Sequence, residues 1–427
     1  MAHAMRKLVL ALGSSENNVV NVYPEVSYQA FEGFGGAITE SAAWVYAQMD
    51  AAQRRELMDT FFGQGGMGYR FVRIPIDSCD FSLGQYEGWL PGNKADVSHL
   101  EECILPMLAD AERVAGHKLD VVVSPWSPPA HMKDTGVREG GGRLLPACRE
   151  AYAEYLCNYI CELRARGVLV RRMTLQNEQH AVQTWDSCLY TAREEAEFLR
   201  DFLHPAMERH GIADVEVFLW DHNKERLFER MRDTIDGSTD GLIAGAAFHW
   251  YSGDHFEALD LCRQMYPGKR LMVSESCIEF SKFDRGDETG AALSLLHEAM
   301  GDLNHGASAF IDWNLLLDEQ GGPNYVGNWC LAQFLYDTGA RRLLRQPLQS
   351  YMERLAQVVV PGAVRLATTR FSDAVDATAW RHPNGTVALA LLERTGRSQD
   401  VVVRMDGREA TVELAPFELA TMTVARA

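Results

Sequence analysis

Short apolar runs alternate with longer amphipathic stretches from Phe31 to about residue 340, and this alternation predicts strands that are each followed by a helix. The runs fall at 31–38, 69–76, 119–124, 172–175, 215–220, 243–248, 270–275 and 307–311. Between them the apolar period lengthens to that of a helix. Leu100, Ile104, Met107, Leu108, Ala111 and Val114 share one face of a helix starting at Ser98, where Ser98 and Glu101 have the spacing of a capping box. Further helices are predicted through Gln53 to Phe62, over 149–166, and from Thr191, which forms a second capping box with Glu194. Strands that each feed a helix in this way close most economically as an α/β fold of the (β/α)₈ type, a TIM barrel. A doubly wound sheet is the alternative. Against it, Gly33-Phe34-Gly35-Gly36 lacks the G-x-G-x-x-G spacing of a dinucleotide loop, and no P-loop occurs.

Beyond Val358 the pattern changes to short strands and tight turns: 376–381, Pro383-Asn384-Gly385, 386–392, 401–405, Asp406-Gly407, 410–414 and 419–424. Asn-Gly and Asp-Gly between apolar runs are strong hairpin signals. Two more short strands, 7–12 and 19–23, precede the repeat. Five C-terminal strands do not close easily alone, so both ends of the chain are expected to form an appended all-β sandwich beside the barrel. The expected division is 1–30 for the N-terminal sandwich strands, 31–357 for the catalytic barrel and 358–427 for the C-terminal sandwich strands.

Composition narrows the partners. Forty-one basic against fifty-nine acidic side chains give a net charge of −18, spread along the chain, which argues against nucleic acid. No run of about eighteen apolar residues occurs, so no stable membrane insertion is expected, and the apolar start 8–12 is short for a signal peptide. The nine cysteines are odd in number and show neither C-x-x-C nor zinc spacing, which points to a reduced, cytoplasmic setting without a metal. Cys157 and Cys161 share a helix face with Tyr155, Leu156, Tyr159, Ile160 and Leu163, and read as small buried hydrophobes.

The chemistry falls at strand ends. The run 172–175 leads to Asn177 and Glu178, and Arg270–Glu275 ends in a second glutamate. Glutamate is a poor strand former, and two carboxylates at the ends of two strands of one sheet suggest glycoside hydrolysis by an acid and a nucleophile. Asp80, Trp126, His249, Tyr251 and Trp313 also follow strands, and the loops after barrel strands converge on one mouth. Trp126 and Trp313 offer either flat faces to a sugar or core filling. His249 and Tyr251 offer either a hydrogen bond to a carboxylate or a packed strand end. Asn177 has an amide suited to a sugar hydroxyl, and Asp312 is expected to point into the barrel wall.

Phe34-Gly35-Gly36-Ala37-Ile38-Thr39-Glu40, Arg73-Ile74-Pro75-Ile76-Asp77-Ser78-Cys79-Asp80-Phe81-Ser82, Ser124-Pro125-Trp126-Ser127-Pro128-Pro129, Asn177-Glu178, His249-Trp250-Tyr251, Ser274-Glu275-Ser276-Cys277, Asp312-Trp313-Asn314 and Gly321-Gly322-Pro323-Asn324 stand in this order along the chain. Together they resemble glycoside hydrolase family 30, especially its glucocerebrosidase-like (glucosylceramidase) branch. The resemblance implies a retaining, exo-acting β-glycosidase, most closely a β-glucosidase, with Glu178 as acid/base and Glu275 as nucleophile. It also implies that Asp80, Trp126, Asn177, Trp313 and Asn324 hold the sugar of a β-linked glycoside or oligosaccharide, with no cofactor. A β-xylosidase or β-1,6-glucanase on the same scaffold is the alternative, and an inactive carbohydrate-binding barrel is the reading from another class. The segment after Glu178, Gln179 to Trp185, departs from the family pattern.

Overall fold

The computed structural model describes residues 5–426. Eight parallel strands close into a barrel in chain order: Gly33–Ala37, Phe71–Ile76, Asp120–Pro125, Val170–Thr174, Glu216–Asn223, Gly245–His249, Arg270–Glu275 and Ala307–Asp312. The last pairs with the first, with Phe310 opposite Phe34. The glycines of the first strand let backbones approach: a Cβ at Gly35 would lie 2.4 Å from the Phe71 carbonyl oxygen, and one at Gly36 would lie 2.2 Å from a methyl of Leu315. Close packing, not phosphate binding, is therefore what this cluster serves.

Inside the barrel, Phe71, Val122, Phe218, Ala247, Met272, Ala309 and Ile311 form a compact apolar layer. Arg172 plugs the N-terminal end of the barrel, its guanidinium 4.6 Å from the Phe71 ring and paired with Glu32 and Glu216. Above the apolar layer the inward positions turn polar. Arg73, Ser124, Thr174, Asp221, His249 and Ser274, one from each of six successive strands, are all buried. A polar layer of this kind is costly to bury, so it marks the end at which the barrel does its chemistry.

Eight antiparallel and parallel strands drawn from both chain ends form the second, all-β domain, with hydrogen bonding that runs round all of them. The N-terminal strands are Arg6–Leu12 and Val19–Ala30, the latter longer than the predicted 19–23 because its second half pairs with Val364–Thr369. Val364–Thr369 is a sixth C-terminal strand that the turn pattern did not single out. Two helix predictions also need correction. Ser98 does not cap its helix: its own N–H donates to Asp96 Oδ1 (2.9 Å), and the helix breaks at Cys103 before resuming at Ile104–Ala115. The helical sequence after the first strand is two helices, Glu40–Gln48 and Ala51–Phe62, because Asp50 accepts from the N–H groups of Ala52 and Gln53 and starts a new helix there. The Thr191 and Glu194 capping box is present. No helix among the described residues is long and apolar enough to cross a membrane.

Candidate active site

Glu275 ends the seventh strand and is 6% exposed. Arg73 Nη1 donates to one of its carboxylate oxygens (2.6 Å) and the Tyr251 hydroxyl donates to the other (2.9 Å). Both donors favour the charged form of the acid. Glu178 sits in the turn after the fourth strand with φ 49, a left-handed conformation that costs a non-glycine residue energy and aims its side chain into the mouth. The backbone is held there by bonds from Asn177 N–H to the Pro125 carbonyl (2.8 Å) and from Glu178 N–H to the Asp221 carbonyl (2.9 Å). Gln183 Nε2 donates to Glu178 Oε2 at 3.1 Å. His249 Nδ1 stands between the two carboxylates, 3.5 Å from Glu178 Oε1 and 3.8 Å from Glu275 Oε1, and its other ring nitrogen is 3.1 Å from Asp221 Oδ1.

Glu178, His249 and Glu275 therefore titrate as one cluster. Burial pushes the Glu178 carboxyl up, but the facing His249 and His222 outweigh it and hold it at about 2. Burial also lowers His222 below its usual value, so near neutrality the pull on Glu178 comes from His249. Burial works against a charged His249, yet Glu275, Asp221 and Glu178 lift it to about 10. Burial raises Glu275 above the ordinary carboxylate range, His249 and Arg73 pull it back, and Glu178 raises it again. His249, whose Nδ1 stands 3.5 Å from Glu178 Oε1, is thus the group of this cluster whose protonated form its neighbours favour.

Arg73 anchors the layer beneath. Its fork reaches Glu275, Asn177 Oδ1 (2.9 Å) and Asp221 Oδ2 (2.9 Å), while Nε donates to Ser124 Oγ (3.1 Å). Thr174 and Ser274 hydroxyls each donate to Asp221 at 2.5 Å. Burial alone would raise Asp221; Arg73 and His249 hold it well below the usual range instead.

The cleft, about 140 Å³, is lined by Asp80, Trp126, Asn177, Glu178, Tyr251, Glu275 and Trp313 among the residues singled out from the sequence. His249 lies just beneath them, completely buried. The two tryptophans are only 1% and 2% exposed, stacked on each other at 5.3 Å with the Arg73 guanidinium 4.8 Å from Trp126. They wall the cleft but spend much of their faces on each other and on Arg73. Asp312 is buried as expected and accepts from the Tyr69 hydroxyl at 2.6 Å.

Asn324 is the exception. It is not part of the cleft wall: its Oδ1 accepts from the N–H groups of Val326, Gly327 and Asn328, and its Nδ2 donates to the Asn328 carbonyl. The amide organises its own loop, its oxygen fully engaged and one Nδ2 hydrogen outside these bonds. Asn328 does line the cleft, with Nδ2 3.1 Å from Asp80 Oδ2. Burial, with Glu275 adding to it, pushes the Asp80 carboxyl well above its usual value. Asn328→Ala is expected to lower kcat/KM by about ten- to a hundredfold, since a buried Asp80 left without its partner costs about 1–3 kcal/mol. Asn324→Ala is expected to lower the melting temperature more than it lowers kcat/KM per folded molecule. Steady-state kinetics beside thermal unfolding of both variants separates a sugar contact from a loop brace.

Gln183, Trp185, His222, Asn223, Glu279 and Lys282 also line the cleft; Gln183 and Trp185 belong to the departing segment 179–185, and none of the six was given a site role from the sequence. The ligating atoms of Glu178, His222 and His249 lie within 4.8 Å of one another.

A parallel barrel with two glutamates, one buried and one partly exposed, at the C-terminal ends of its seventh and fourth strands, over a polar layer that orients them, defines a glycoside hydrolase. The chain belongs to glycoside hydrolase family 30: the family's TIM-barrel domain matches residues 31–359 and its beta sandwich domain residues 362–422. It is similar to SrfJ from Salmonella typhimurium, with 32% identity and a TM-score of 0.93 over 98% of this chain and 95% of that one. The endo-beta1,6-glucanase BT3312 is 27% identical with a TM-score of 0.83, over 96% of this chain and 94% of that one. The lysosomal acid glucosylceramidase of Mus musculus is 24% identical over 93% of this chain and 82% of its own length.

Proposed function

We propose that this enzyme is a retaining β-glucosidase that removes a terminal β-linked glucosyl unit, acting in the cytoplasm. Glu275 attacks the anomeric carbon as the glycosidic C–O bond breaks, and Glu178 passes a proton to the departing oxygen. In the second half Glu178 takes a proton from water, which displaces Glu275. The observation that carries the reading is the asymmetry between the two glutamates. Glu275 receives two strong donors suited to a permanent anion, whereas Glu178 faces Nδ1 of His249, whose protonated form its neighbours favour. The exo reading follows the likeness to the lysosomal acid glucosylceramidase of Mus musculus. The nine cysteines are free thiols, Cys277 and Cys330 included although their sulfurs are 3.3 Å apart, which supports a reducing compartment. Endo-acting β-1,6-glucanase activity is the second reading, favoured by the likeness to BT3312.

Hydrolysis of an aryl β-glycoside panel beside a β-1,6-linked glucan tests the substrate. Aryl β-glucoside is expected to be cut faster than the matching xyloside in kcat/KM, in line with the likeness to the mouse glucosylceramidase and to the endo-beta1,6-glucanase BT3312. Faster release of internal oligosaccharides from the glucan, with little aryl glucosidase activity, would overturn the exo reading. Proton NMR of the first-formed sugar is expected to show the β-anomer, since the paired glutamates are read as acid/base and nucleophile. An α-anomer would sink that pairing.

The proton held by His249 gives a pH signature. Glu275 must be charged, and its raised pKa puts the acid limb of kcat/KM above the usual glutamate value. The alkaline limb reports loss of the proton that His249 holds up to about 10. His249→Gln leaves that proton to a carboxyl alone, so the alkaline limb is expected to fall by several pH units while the fold persists. An alkaline limb that stays where it is in the variant would show that His249 does not hold the proton.

A further inference from the structure

A cavity of about 380 Å³ lies between the barrel and the β-domain, bounded by the helices Phe256–Met265 and Glu288–Asn304 and the strand Val364–Thr369. Three arginines, Arg263, Arg365 and Arg370, line it together with the acids Asp260 and Asp376. Both acids are already engaged. Asp376 pairs with Arg370 and stands 2.7 Å from His297, while Asp260 is 3.3 Å from Arg263 and 2.7 Å from His305.

Arg365 is the cation left over. It is only 6% exposed, and among the described residues no carboxylate forms an ion pair with it. Its Nε makes a long contact to Gln29 Oε1 at 3.4 Å, Gln29 being itself tied by its amide to the Leu303 and Ala307 carbonyls, and the Tyr28 side chain and the charge of Asp260 offset only part of its burial. The guanidinium lies 3.6 Å from the centre of the Tyr28 ring, and that of Arg263 reaches the same ring at 4.9 Å. Two cations thus share one aromatic ring. A cation–π contact does not replace the hydration that a guanidinium loses on burial. Burial and the neighbouring Arg263 bring Arg365 down to about 10, so it still carries its charge at neutral pH. A buried guanidinium that lines a cavity, with a second arginine beside it, has the charge that oxyanions fit.

We propose that this interdomain cavity binds a small oxyanion, a phosphate or carboxylate group received by Arg365 and Arg263, and that the anion ties the barrel to the β-domain. The cavity is larger than a lone phosphate, so the group has room to be carried on a body the size of a hexose.

The test uses the full chain at fixed ionic strength, with inorganic phosphate and glucose 6-phosphate as probes and chloride as reference. Isothermal titration is expected to show saturable binding, and the melting temperature to rise by about 1–3 °C at saturation. Arg365→Met is expected to abolish both responses, yet to melt no lower than the wild type in anion-free buffer, because it removes an uncompensated buried charge. Binding of glucose 6-phosphate at least tenfold tighter than phosphate would assign a phosphorylated sugar as occupant; equal binding would assign the free anion. Arg263→Gln, read in the same way, covers failure of the first variant to fold. Absence of saturable binding by either probe, an undiminished response in Arg365→Met, or a marked loss of its anion-free stability would each overturn the proposal.

Discussion

Glu275→Ala is expected to lower turnover by at least about 10⁵-fold, and added azide to restore part of it while yielding the α-glycosyl azide. Removing a nucleophile removes the covalent route altogether, so the loss approaches that of the whole catalytic unit. The small residue leaves a gap beside Arg73 and Tyr251, whose N–H and O–H groups, at 2.6 and 2.9 Å from the lost carboxylate, can hold an external anion there. Glu178→Ala should behave differently. Aryl glycosides with good leaving groups hardly need protonation, so their first step is spared, whereas poor leaving groups lose about 10²–10⁴-fold. Azide then attacks the glycosyl-enzyme from the vacated side and gives the β-glycosyl azide. The two azide products, resolved by NMR, assign the two glutamates independently of any rate. The same anomer from both variants would refute the assignment.

The barrel was legible in the sequence because each strand is a short apolar run followed by a helical period, and both signals survive packing. The glutamates were legible for the opposite reason: a carboxylate at the end of an apolar strand violates local preference, and such violations mark sites. Asn324 shows what spacing leaves open: a Gly-Pro-Asn turn places an amide near a mouth without saying how much of it the loop itself uses. Its bonds to Val326, Gly327 and Asn328 are local, and short-range loop chemistry absorbed it. Asn328 and Gln183 come from loops whose paths depend on tertiary packing, so spacing alone carries no signal for them, whereas His222 stands at the end of the strand Glu216–Asn223, the placement that marks the other cleft residues. Arg73 did leave a signal. It interrupts the run Phe71–Ile76, every residue of which is buried, and an arginine there demands buried acceptors from elsewhere in the chain.

That demand makes Arg73 the residue outside the glutamate pair with the largest expected effect. Its side chain is fully buried and pairs with Asp221 at 2.9 Å and Glu275 at 2.6 Å, while holding the Asn177 amide by its oxygen. In Arg73→Met both carboxylates lose the cation that offsets their burial, a change worth about 3–5 kcal/mol for a broken buried pair. Protonation of Glu275 relieves the strain, so its pKa rises further and the acid limb of the pH profile should move toward neutrality. Arg73→Lys isolates geometry from charge. A lysine keeps one positive charge but cannot present parallel N–H groups to Glu275, Asn177 and Asp221 at once. It is expected to fold, with a melting temperature nearer the wild type than that of the methionine variant, yet to lose about 10²–10³-fold in kcat as Glu275 and Asn177 drift from alignment. Circular dichroism melts beside kcat and KM for both variants decide the matter. If Arg73→Lys keeps its kcat within about threefold of the wild type, the fork contributes charge alone and the alignment argument fails.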